Sequence, residues 1–205
     1  MNALPRVYVV DDDEHILRLL GRQLGTEYDV MCFSSAIHFL DASGSLPPGC
    51  LILDVNMPEL NGLEVQRRLA ARNLRFPTIM ITGLGELSIA VQAMKAGAID
   101  FVEKPFRRNT IIDSIRLAQH HLAPADTGSD DAVVAKTRLA MLSARERQVL
   151  DGLVAGLPNK SIAYDLGISP RTVEMHRAHI MTKMEARSLS ALVRGALAAG
   201  IHGRA

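Results

Sequence analysis

Five short β-branched runs, each ending at a polar residue, glycine or proline and separated by stretches of helical period, constrain the first 122 residues more than any other feature. The runs are Val7 to Val10, Val30 to Phe33, Leu51 to Leu53, Thr78 to Thr82 and Ile99 to Val102. Near-continuous apolar runs of this length suit strands of a parallel sheet, which helices cover on both faces. Between them apolar residues recur three and four apart, as in Ile16, Leu17, Leu19, Leu20 and Leu24 and again in Leu87, Val91 and Met94. Gly97 reads as a helix stop, and a last helix over Asn109 to Leu122 closes this part. The pattern predicts an α/β domain over residues 1–122, built on a doubly wound five-stranded parallel sheet.

From Pro124 to Asp131 the apolar period stops and turn formers gather with acids, so residues 123–138 are expected to be a linker, with 132–140 able to extend a helix beyond it. Residues 139–205 carry no strand signal and predict an all-α domain of four helices. Ser143 with Glu146 is a capping-box pair that opens the first. Gly156 and Pro158 end it, Asn159 opens a second that runs to Leu166, and Gly167 breaks that one. Ser169 and Pro170 form an N-cap and N1 pair for the third, and the fourth begins after Ser188.

The formal charge of +1 hides a division. Residues 1–138 hold 14 Lys/Arg against 17 Asp/Glu, whereas 139–205 hold 9 against 5, so the two parts suit different partners. Cys32 and Cys50 lack CxxC spacing and any nearby His, and read as buried reduced thiols. No apolar run reaches the roughly 18 residues of a membrane span, and the first carboxylates arrive before a signal-peptide core could develop. A cytoplasmic protein without a membrane partner is the expectation.

In a parallel sheet, reaction sites form beyond the carboxyl ends of the strands. Asp11, Asp12 and Asp13 follow the first run, Asp54 ends the third, Thr82 ends the fourth, and Lys104 lies just past the fifth. Clustered carboxylates repel, and a hard divalent cation relieves them. An all-oxygen site with open positions suits Mg²⁺. Such a site can shield an incoming phosphoryl group while a carboxylate attacks phosphorus, with Lys104 balancing the added charge and Thr82 donating a hydrogen bond. Asp13 reads more simply as an N-cap.

The segments VVDDD, LDVNMPELNG, ITG and EKPF, in that order over about 120 residues, resemble the receiver domain of two-component response regulators. The resemblance implies that Asp54 is the phosphoacceptor. It implies that Asp12 and Asp54 bind Mg²⁺ directly with the backbone carbonyl of Asn56, and that Asp11 acts largely through water. Thr82 and Phe101 match the switch pair of that family, and Pro58 and Gly62 match the loop after the acceptor.

In the second part a short helix, a turn at Gly167 to Ser169 and a longer helix have helix-turn-helix spacing, in which the second helix enters the DNA major groove. Arg171, Thr172, His176, Arg177 and Lys183 are expected to contact phosphates or bases, with Lys160 near the preceding helix start. The order SARERQVL, GLPNKSIA, LGISPRTVEMHRAHIMTKM resembles the LuxR-type four-helix domain. Base contacts of that family would fall near Glu174, Met175 and Ala178, positions that are more basic in many relatives. The two parts together resemble the NarL/FixJ family, the FixJ branch of it most.

This resemblance implies a sensor histidine kinase as phosphoryl donor, double-stranded DNA as target and RNA polymerase as the partner in activation, rather than an enzyme. Phosphorylation would pair two receivers through the face from Leu87 to Val102, so that a homodimer presents two reading helices. Two other readings exist. Asp11-x-Asp13 also resembles phosphatases of the haloacid dehalogenase type, but His15 stands where those want Thr or Val, and no length remains for a cap domain. A receiver that pairs without phosphate would leave Asp54→Asn functional.

Overall fold

The computed structural model describes residues 4–83, 87–122 and 128–203, with only the backbone of Leu87 and of residues 128–131. It divides into two compact units, one of residues 1–85 with 96–124 and the other of 86–95 with 125–205.

The first unit holds five parallel strands: β1 (Arg6–Val10), β2 (Asp29–Phe33), β3 (Cys50–Asp54), β4 (Thr78–Thr82) and β5 (Asp100–Glu103). Their order in the sheet is β2-β1-β3-β4-β5. Each predicted run is a strand, with ends that shift by one residue at most. Helices α1 (Glu14–Leu24), α2 (Ala36–Ala42), α3 (Gly62–Ala71), α4 (Leu87–Lys95) and α5 (Arg108–His120) alternate with the strands, and α4 is grouped with the second unit.

Burial explains the composition of the strands. Every residue of β3 and β4 is buried, Cys50 included, whereas β2, at the sheet edge, keeps Met31 40% exposed and leaves Cys32, expected to be buried, exposed as well. On one face Val7, Val9, Ile52, Ile79 and Ile81 pack with Leu17, Leu20 and Leu24 of α1 and Ile111 and Ile115 of α5. Leu19, counted in the same periodic stretch, points to solvent. Tyr8 alternates to the other face, where it meets Phe39 and Phe76 at 5.6–6.2 Å between ring centroids. Its hydroxyl donates to the Pro47 carbonyl at 2.7 Å, so the buried polar tip is satisfied.

In the second unit α6 (Gly128–Ala140) precedes α7 (Ala144–Val154), α8 (Asn159–Leu166), α9 (Pro170–Lys183) and α10 (Leu189–Ala198). The four predicted helices are present. Much of the expected linker is helical: Ala135 and Leu139 of α6, four residues apart, are buried, and Leu139 and Leu142 join the core of Val149, Leu153, Ile180 and Leu192. Residues 123–127 of that linker lie outside the described residues. The capping box of Ser143 and Glu146 is complete, and Ser169 and Ser188 cap α9 and α10. Gly167 ends α8 at φ 63°, a left-handed conformation that costs glycine nothing and sharpens the turn into α9.

Candidate functional sites

The strand order reverses between β1 and β3, and the carboxyl ends of these two strands meet there. Val10 pairs with Leu53, so Asp11 and Asp54 follow from adjacent strands at the same level. On the other side Asp54 pairs with Ile81, and Thr82 pairs with Glu103. The register therefore delivers Asp11, Asp54, Thr82 and Lys104 to one edge. Asp11, Asp54 and Thr82 are at most 4% exposed, while Asp12 faces solvent.

Lys104 ties the pocket together. Its Nζ lies 2.9 Å from Asp11 Oδ2 and 2.7 Å from Asp54 Oδ1, and its backbone N–H donates to the Thr82 carbonyl at 2.8 Å. Backbone donors take the remaining oxygens: Asp13 N–H reaches Asp11 Oδ1 at 2.9 Å and Asn56 N–H reaches Asp54 Oδ2 at 2.8 Å. Burial pushes the Asp11 carboxyl above its ordinary pKa, opposed in part by the bonds from Lys104 and Asp13 and reinforced by the charge of Asp54. For Lys104 burial acts to lower the pKa, but its bonds to Asp11 and Asp54 outweigh this and the pKa rises. Lys104 is thus a cation held between two buried carboxyl groups. One carboxylate oxygen from each of Asp11, Asp12 and Asp54 lies within 4.8 Å of the others, a donor set of hard oxygens that fits Mg²⁺.

Thr82 and Phe101 stand on one sheet face, because Phe101 pairs with Met80, two residues before Thr82. Phe101 is 8% exposed. Asp13 is the N-cap of α1, accepting from His15 N–H at 2.8 Å.

On the second unit, α9 buries Val173 and Ile180 and turns Arg171, Glu174, Met175 and Ala178 to solvent. These four share one helical face by their spacing, and Lys160 on α8 is also exposed. Other residues expected at the DNA have partners inside the protein. Thr172 Oγ1 lies 2.8 Å from the capping Ser169 Oγ. Arg177 Nη1 donates to Asn159 Oδ1 at 3.0 Å, which joins α9 to the start of α8. Lys183 Nζ reaches both oxygens of Glu146 on α7, at 2.7 and 3.0 Å. His176 is half-buried. The roles of Asn159 and Glu146 as positioners were missed, since the sequence shows each only as a helix-start residue.

Two family models match. The response regulator receiver domain matches residues 7–116, and the luxR family of bacterial regulatory proteins matches residues 140–196. The transcriptional regulatory protein FixJ of Rhizobium meliloti is 50% identical over 195 residues, which cover 95% of this chain and 96% of that one. The response regulator protein TmoT of Ectopseudomonas mendocina is 44% identical, over 92% of this chain and 86% of its own. Among solved structures, full-length FixJ from B. japonicum is 44% identical with a TM-score of 0.59 and covers 97% of this chain and 98% of its own. StyR is 37% identical with a TM-score of 0.56, over 95% and 99%. No helix among the described residues is long and apolar enough to cross a membrane. The chain belongs to the two-component response regulators that join a receiver domain to a luxR-type DNA-binding domain, and like its FixJ relatives it is a transcriptional regulator.

Proposed function

We propose that Asp54 accepts a phosphoryl group from a sensor histidine kinase and that this switches DNA binding by α9. The observation that carries the reading is Lys104 Nζ, held between Asp11 and Asp54 at 2.9 and 2.7 Å at the carboxyl edge of the sheet. Asp54 Oδ1 is the nucleophile. Asp12, Asp54 and the Asn56 carbonyl would hold Mg²⁺ directly and Asp11 largely through water, and the ion would supply charge neutralisation for the phosphoryl oxygens. Lys104 pairs with the anion formed, Thr82 donates its hydroxyl to a phosphoryl oxygen, and the Phe101 ring follows Thr82 inward.

The functional divisions are a receiver of residues 1–122, a connector of 123–138 and a DNA-binding domain of 139–205. Receivers pair through the face from Leu87 to Val102, and the dimer places two copies of α9 on adjacent half-sites. Arg171, Glu174, Met175 and Ala178 face the bases. Lys160, Thr172, His176, Arg177 and Lys183 flank them toward phosphates, the last two only as far as their bonds to Asn159 and Glu146 allow. The regulator works in the cytoplasm, recruits RNA polymerase as an activator, and does not act as an enzyme on a small substrate. Size-exclusion chromatography and DNA gel shifts with acetyl phosphate and Mg²⁺ test the switch. A larger species and tighter binding are expected, both lost in Asp54→Asn. Unchanged mass and affinity would remove the phosphorylation step from the account.

A further inference from the structure

Glu146 of α7 and His176 and His179 of α9 form a second convergence of ligating groups, far in sequence from the carboxylate pocket. One ligand atom from each lies within 4.8 Å of the others. The histidines are three residues apart on one helix, so successive turns place them side by side. His176 Nδ1 is buried and has no hydrogen-bond partner among the described residues. A buried imidazole nitrogen in that condition is costly unless it meets a donor or a metal. Glu146, only 4% exposed, faces the pair, with Oε1 4.0 Å from His179 Nδ1.

The carboxylate is already oriented for ligation. Its Oε2 accepts Ser143 N–H at 2.8 Å and Lys183 Nζ at 2.7 Å, which anchors the group through one oxygen and leaves capacity on the other. Ligating carboxylates are commonly held in this way by hydrogen bonds to their second oxygen. Two imidazoles and one carboxylate are a donor set for a first-row transition ion, with a fourth position left to water. Tetrahedral bonds of about 2.0–2.1 Å require ligand atoms about 3.4 Å apart. The exposed His179 side chain, 57% accessible, can supply the closing movement.

We propose that Glu146, His176 and His179 bind a divalent transition ion of the Zn²⁺ type, which bridges α7 to the DNA-reading helix α9. Lys183 also contacts Oε1, at 3.0 Å, so the ion competes with that ammonium for the same oxygen. Occupancy frees Lys183 from half of its present pairing and ties α9 to α7 by coordination instead.

The test titrates the full chain with Co²⁺ and then Zn²⁺ in a large excess of Mg²⁺, which fills the receiver carboxylates without competing for imidazoles. One equivalent of Co²⁺ is expected to bind with the strong visible absorption of four- or five-coordinate cobalt, and Zn²⁺ is expected to displace it. His179→Gln and His176→Gln should each weaken binding by about tenfold or more, and Zn²⁺ should raise the melting temperature of the wild type but not of His179→Gln. Should His176→Gln fail to fold, the exposed His179 variant carries the test alone. Absence of uptake, uptake unaffected by His179→Gln, or uptake removed instead by replacing His120 and His121, would overturn the assignment.

Discussion

A β-carbon on residue 62 would sit 2.4 Å from the carbonyl oxygen of Asp54, so the sharp return of the chain into α3 depends on glycine. The backbone cannot give way without moving the proposed acceptor. Gly62→Ala is therefore expected to cost about 1–3 kcal/mol in urea denaturation, and a loss below a few tenths would show that the loop is loosely set. Residues of the carboxylate pocket were legible because each one ends or follows a strand, and parallel topology sends all such ends to one edge. Arg177 and Lys183 were not fully legible. Both are cations on a helix in a basic domain, and only the fold reveals that Asn159 and Glu146 engage them.

The N-terminus of α7 rests on Glu146, which closes the capping box with Ser143 and takes Lys183. The bonds from Lys183 and the Ser143 backbone hold its carboxyl at a pKa of about 2, below the ordinary 4.5. A carboxyl depressed in the folded state stabilises fully above its unfolded pKa and loses that contribution as pH falls from about 4.5 toward 2. Glu146→Gln, measured with chelator present, should lose about 1.5–3 kcal/mol at neutral pH. The gap to the wild type should narrow steadily below pH about 4.5. A gap that is constant with pH would mean that the Lys183 pairing contributes nothing. Helix boundaries in this half were legible because capping residues and glycines mark them. The start of α6 was not, since Gly128 to Asp131 has turn composition and the helix is secured further on, by Ala135 and Leu139.

Across the whole molecule, the acidic and basic parts of the sequence correspond to a carboxylate pocket and to a helix that offers Arg171 to solvent. DNA affinity should fall steeply with salt, and Arg171→Ala should reduce the slope of log K against log salt by about one if that side chain meets a phosphate. An unchanged slope would assign Arg171 to a base edge or to solvent. The two-part organisation was readable from the loss of strand signal after residue 122, whereas no local pattern marks α4 as grouped with the second unit. The central claim is a covalent one at Asp54. Intact-mass spectrometry and peptide mapping of the full chain after incubation with acetyl phosphate and Mg²⁺ should find one added phosphoryl group on Asp54, absent in Asp54→Asn and without Mg²⁺. No added mass, or the same mass located on Asp11, would contradict it.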